Sequence, residues 1–171
     1  MKNLLQYTEK LKHLPRTGWL RYGIENPETV ASHSWQMAMM AIQISNQTYG
    51  ATYDFYKLIK LCLCHDLGES IIGDITPNDK SYTNKEAQET KAIDVIVKDT
   101  DLPEIYELYS EYLQNETPEA QLANDLDKLD MFAQALDYEK KYPHKDLSEF
   151  KHSAVSHIKT AIGKKILEQL K

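Results

Sequence analysis

Between Thr29 and Tyr53 the chain carries no Asp, Glu, Lys or Arg, and that stretch limits the fold more than any other feature. It is long enough to cross a bilayer. Yet it holds His33, Gln36, Gln43, Asn46 and Gln47, polar groups that hydrocarbon does not satisfy. The stretch therefore reads as a helix buried inside protein, and no membrane is expected as a partner. Elsewhere apolar residues recur at helical spacing, and no run alternates cleanly enough for a strand. With 6 glycines and 6 prolines there is little room for a turn-rich sandwich. We find no repeat, linker or low-complexity tract, so the expectation is one all-α domain over residues 1–171. A chain of this length buries roughly 70% of its unfolded surface, enough for a core without disulfide or metal staples.

The elements follow from local signals. Leu4, Leu5, Leu11 and Leu14 mark a first helix, and a short Gly-containing segment, Pro15 to Glu25, comes next. Asn26-Pro27, followed by Glu28, predicts the start of a helix that runs to about Gln47. Asp54 predicts the cap of FYKLIKLCLCHDLGE, which Gly68 and Gly73 interrupt near its end. A loop over Thr76-Pro77-Asn78-Asp79 follows. Helices are then expected at about 84–98, 103–114 and 118–140. A single last helix from about Ser148 to the end carries Ile158, Ile162, Ile166 and Leu170. Cys62 and Cys64, two residues apart on a helix, point roughly 200° apart and cannot pair with each other. MKNLLQYTEK has no apolar leader core or small-residue cleavage site, so a reducing cytoplasm is the expected location. The net charge of −6 argues against a nucleic-acid polymer as partner, because phosphate neutralisation needs a basic face.

His65-Asp66 is the first candidate for chemistry. It ends a helix whose apolar face must be buried; Glu69 follows Asp66 by three residues and Asp74 comes five further on. A buried carboxylate beside an imidazole is costly unless it is paired or binds a cation. A His–carboxylate pair that merely caps a bundle is the alternative. His33 lies one turn into its helix among Val30, Ala31, Met37 and Ala38, either as a ligand or as a satisfied core histidine. Asp127 sits between Leu126 and Leu129; it and its neighbours Asp125 and Asp130 are either functional or solvated. Two imidazoles and carboxylates on three helices suit a transition metal better than Mg or Ca. The chain's only arginines, Arg16 and Arg21, flank Trp19 in one six-residue window. Arginine grips phosphate bidentately and an aromatic packs on a sugar or base. An ordinary loop with a Trp anchor is the other reading.

The order His33, His65-Asp66, Asp127 resembles the H…HD…D signature of the HD-domain metal-dependent phosphohydrolases. PRTGWLRYGIENPETVASHSWQMAMMA, CHDLGESIIGDITP and DLDKLDMFAQALDYE resemble the three blocks of the 5′-deoxynucleotidase group, over about residues 11–139. The resemblance implies an all-α HD domain that removes the 5′-phosphate from deoxyribonucleoside 5′-monophosphates. It implies one divalent ion (Co, Mn, Fe, Ni or Zn) held by His33, His65, Asp66 and Asp127, with Glu69 and Asp74 as catalytic acids. Arg16 and Trp19 would face phosphate and sugar, with Arg21 sharing the arginine's role because Thr17 and Gly18 separate Arg16 from Trp19. A bulky indole against C2′ would disfavour a 2′-hydroxyl. Ser32 stands where many members place an acid. The resemblance also implies a homodimer. The alternatives are hydrolysis of another small nucleotide or phosphoester, and a non-catalytic metal-binding helical module. The cyclic-dinucleotide and alarmone branches fit less well: the first adds histidines and Gly-Tyr-Pro, the second Glu-Asp where this chain has Glu69-Ser70.

Overall fold

The computed structural model describes residues 2–46, 53–77 and 79–171, and the elements are helical as the periodicity predicts. They are α1 (Lys2–His13), α2 (Thr17–Arg21), α3 (Val30–Ser45), α4 (Phe55–Cys64), α5 (Glu69–Ile72), α6 (Lys85–Thr100), α7 (Glu104–Gln114), α8 (Pro118–Lys141), α9 (Ser148–His157) and α10 (Ala161–Leu170). A short 3₁₀ turn, Tyr82–Asn84, leads into α6. Among the described residues the only β pairing is an isolated bridge, Pro15 with Thr29. No helix of the described residues is long and apolar enough to cross a membrane. The expected helix end at Gln47 and loop residue Asn78 lie outside the described residues.

The chain divides into two compact units, each built from two separated stretches. One comprises Met1–Trp35 and Leu63–Ser110, the other Gln36–Cys62 and Glu111–Lys171. In the first unit α1 packs on α5 and α6. Its core joins Leu11, Val30, Leu67, Ile93, Ile96, Ile105 and Tyr109. In the second unit α8 packs against α9 and α10, burying Leu122, Leu126, Leu129 and Ala135 on α8.

Three local expectations are corrected. Asn26-Pro27 does not open α3. Asn26 takes a left-handed φ of 51°, which Asn tolerates better than most residues, and α3 starts at Val30. Thr29 and Ser32 make a reciprocal cap: Ser32 N–H donates to Thr29 Oγ1 at 3.2 Å, and Thr29 N–H donates to Ser32 Oγ at 2.8 Å. Arg16 N–H to Glu28 C=O and Val30 N–H to Leu14 C=O pin the preceding residues in extended backbone.

The HD segment is not one helix. α4 ends at Cys64, a turn covers His65 to Gly68, and α5 ends at Gly73 with φ 82°. The expected last helix breaks into α9 and α10. Asp125, expected as a candidate for solvation, is only 2% exposed. Its two oxygens accept the N–H groups of Lys159 and Thr160 at 2.9 and 2.7 Å, so those residues turn instead of continuing the helix. Thr160 then caps α10 by accepting the Gly163 N–H. Asp130, the other candidate for solvation, is fully buried.

Candidate active site

The first unit gathers most of the expected site residues around one carboxylate. The Thr29–Ser32 cap starts α3 so that His33 falls in its first turn, with its N–H on Thr29 C=O at 3.0 Å. The His33 side chain is wholly buried. Arrest of α4 at Cys64 places His65 and Asp66 in the tight turn that follows, and Glu69 N–H closes that turn on Asp66 C=O. Asp66 Oδ2 then lies 3.1 Å from His65 Nε2, 3.3 Å from Arg16 Nη1 and 3.9 Å from His33 Nε2. The two imidazole rings meet edge to face with centroids 5.4 Å apart. Burial pushes the Asp66 carboxyl up, but His65, Arg16 and His33 outweigh it and leave Asp66 well below the usual carboxylate range.

The acids after the HD pair differ in surroundings. Asp74 Oδ2 accepts the Thr17 N–H at 2.5 Å, which ties the first residue of α2 to the loop after Gly73. Glu69 is 2% exposed. Burial, followed by Asp66 and Asp74, pushes its carboxyl well above the usual range, against the pull of Lys85 and Arg16. Glu69, Ser70 and Gly73 also line a recess of about 430 Å³ together with Glu9, Lys10, His13 and Leu14 of the α1 end.

Two expected substrate contacts are committed within the unit. The Trp19 indole is 2% exposed and donates its Nε1–H to Glu28 Oε1 at 2.7 Å. The indole thus packs beneath the turn that carries Arg16, as in the Trp-anchor reading, whereas the resemblance implies a contact with the sugar. Arg21 pairs with Asp79 at 2.8 Å, and Asp79 also accepts the Thr76 N–H and hydroxyl. Only Arg16 of the window reaches Asp66. Asp127 belongs to the second unit; it is half-buried on α8, with Lys128 Nζ at 2.8 Å. Lys85, Glu89 and Glu28 join the first unit's network without having been singled out. Lys85 left one trace in the sequence: a cation in the first turn of a predicted helix, where the helix dipole disfavours it.

A family model described as HD domain matches residues 8–171. The chain is similar to the 5′-deoxynucleotidase HDDC2 of Dictyostelium discoideum, 40% identical over 155 residues that make up 84% of this chain and 81% of that protein. It is also similar to the 5′-deoxynucleotidase hdd1 of Schizosaccharomyces pombe, 37% identical over 155 residues, 85% of this chain and 76% of the relative. Among solved structures, a conserved hypothetical protein from Pyrococcus furiosus superposes with a TM-score of 0.86 at 38% identity, covering 99% of this chain and 98% of that one. A structure titled as a predicted metal-dependent phosphohydrolase from Magnetospirillum magnetotacticum MS-1 has a TM-score of 0.75 at 25% identity, covering 98% and 87%.

Proposed function

The chain belongs to the HD-domain family, and from that membership we propose that it removes the 5′-phosphate from deoxyribonucleoside 5′-monophosphates, yielding deoxyribonucleoside and inorganic phosphate. The observation that carries the reading is the grouping of His33, His65 and Arg16 on Asp66. Arg16 and His33 come from one motif block and His65 and Asp66 from a second, and relatives 40% and 37% identical to this chain bear the name 5′-deoxynucleotidase.

Two buried imidazoles beside a carboxylate are a mixed N/O donor set, which fits a divalent first-row transition ion. His33, His65 and Asp66 would hold it, and Asp127 is proposed as a further ligand on the resemblance of DLDKLDMFAQALDYE to the family's last block. When bound, such an ion supplies Lewis acidity toward phosphoryl oxygen and lowers the pKa of a water. Arg16 provides a permanent positive charge for the equatorial oxygens, where negative charge grows during in-line displacement. Asp74 orients the attacking water, its carboxylate held in place by the Thr17 N–H. Glu69 serves the leaving 5′ oxygen through Oε2, which has no hydrogen-bond partner among the described residues. Trp19 and Arg21 act at one remove, fixing the turn that carries Arg16.

The unit of action is a homodimer of one HD domain per chain, in the cytoplasm. An exposed apolar stripe on α3, made of Trp35, Met39 and Ile42 at i, i+4 and i+7, supports the dimer. The activity is tested by phosphate release from a panel of deoxyribonucleotides, ribonucleotides and nucleotide messengers, with Co, Mn, Fe, Ni and Zn in turn. Deoxyribonucleoside monophosphates are expected to lead ribonucleotides in kcat/KM, as the names of the relatives imply. Equal rates on dAMP and AMP would remove the deoxy preference. Metal bound without any hydrolysis would favour the structural module.

A further inference from the structure

The two carboxylate oxygens of Glu69 are treated differently. Oε1 takes the Lys85 ammonium at 3.3 Å, whereas Oε2 is buried and has no hydrogen-bond partner among the described residues. Lys85 is itself held from a second side. Its Nζ lies 3.4 Å from Glu89 Oε1, one turn along α6, and Glu89 Oε2 accepts the Tyr109 hydroxyl at 3.5 Å. Lys85 is the first residue of α6. There the backbone dipole repels a cation, and three-quarters of the side chain is covered. Neither solvation nor the helix accounts for an ammonium at this place; the two carboxylates do.

The consequence for Glu69 is geometric. Rotation of a carboxylate about its last torsion is soft. A charged donor on one oxygen fixes the plane and so leaves the second oxygen in one position. Asp74 and Asp66, the other acids near Glu69, have their own donors at Thr17 and Arg16, so the lysine's hold on Glu69 is distinct from theirs.

We infer that Lys85 is the positioning residue for Glu69: anchored by Glu89 and Tyr109, it holds Oε1 and thereby presents Oε2 toward the leaving oxygen of the substrate. This rests on the role given to Glu69 above. The test compares Lys85→Met, Lys85→Arg, Glu69→Gln and the Lys85→Met/Glu69→Gln double variant by kcat, KM, bound metal and crystal structure. Lys85→Met is expected to lower kcat about 10- to 100-fold, with KM within about twofold and metal content unchanged. Lys85→Arg recovers most of the loss. In the Glu69→Gln background Lys85→Met costs nothing further, because both changes remove one interaction. In Lys85→Met crystals the Glu69 side chain leaves its single position. Equal losses in both backgrounds, or a Glu69 side chain that stays in place, would overturn the inference. Should Lys85→Met not fold, Glu89→Gln, which releases the lysine's second anchor, must show a smaller kcat loss with the same dependence on Glu69. If the wild-type chain hydrolyses no nucleotide, the proposed activity falls, and the crystallographic comparison still decides the role of Lys85.

Discussion

Asp66 concentrates the electrostatics of the first unit, because one of its oxygens faces two imidazoles and a guanidinium. That arrangement keeps the carboxylate charged despite its burial, and a charged carboxylate is what a cation site requires. Asp127 is the ligand proposed from the other unit. Asparagine there keeps the shape and removes the charge, on a helix whose neighbours Leu126 and Leu129 are fully buried. Asp127→Asn is therefore expected to keep its circular dichroism while losing bound metal and turnover. Full metal content together with wild-type turnover would strike Asp127 from the ligand set. Ser32 completes the cap of α3. A capping box ordinarily has Glu or Gln at that position, and here the shorter serine makes the same reciprocal bonds with Thr29.

At the level of elements, the starts of α4 and α8 are joined by charge. Asp54 Oδ1 accepts the Lys57 N–H at 3.0 Å, capping α4 as the sequence predicts. Glu119, in the first turn of α8, accepts the Asp54 N–H at 2.9 Å and pairs with Lys57 at 3.0 Å. Burial pushes the Glu119 carboxyl up, but the Asp54 N–H and Lys57 outweigh it, so its pKa lies below the ordinary 4.5. A lowered folded pKa gives stability that is present above the unfolded value and is lost as pH falls through the folded one. Glu119→Gln is expected to cost about 1–3 kcal/mol at neutral pH. Chemical unfolding at a series of pH values should show the gap to wild type closing below pH 4.5. A gap that persists in strong acid would mean that the carboxylate's charge is not what joins the two helices.

On the scale of the molecule, each unit draws on two separated stretches of chain, and the division falls inside α3, α4 and α7. The expected site residues divide likewise: Arg16, His33, His65, Asp66, Glu69 and Asp74 belong to one unit and Asp127 to the other. The proposed dimer belongs to this scale as well. Light scattering is expected to give twice the chain mass, and Trp35→Glu, a charge set into the α3 stripe, should give the single-chain mass. An unchanged mass in that variant would move the interface away from α3.

The sequence alone determined the features that depend on a few neighbouring residues or on a repeated spacing. Apolar periodicity marked α6, α7 and α8 to within about two residues. Asp54 is a local cap whose bond closes within one turn. The motif residues were visible because their types and order are themselves the signal. Tertiary structure decided whatever depends on a partner distant along the chain. Arg16 meets Asp66 across 50 positions, Lys85 meets Glu69 across 16, and Asp125 breaks the C-terminal helix from 34 positions away. Burial of Trp19 and Asp130 and the true start of α3 at Val30 have the same origin. Spacing tells which face of a helix is apolar. It does not tell which carboxylate, amide or cation will stand opposite, and in a low-dielectric interior that opposite group sets charge, capping and exposure.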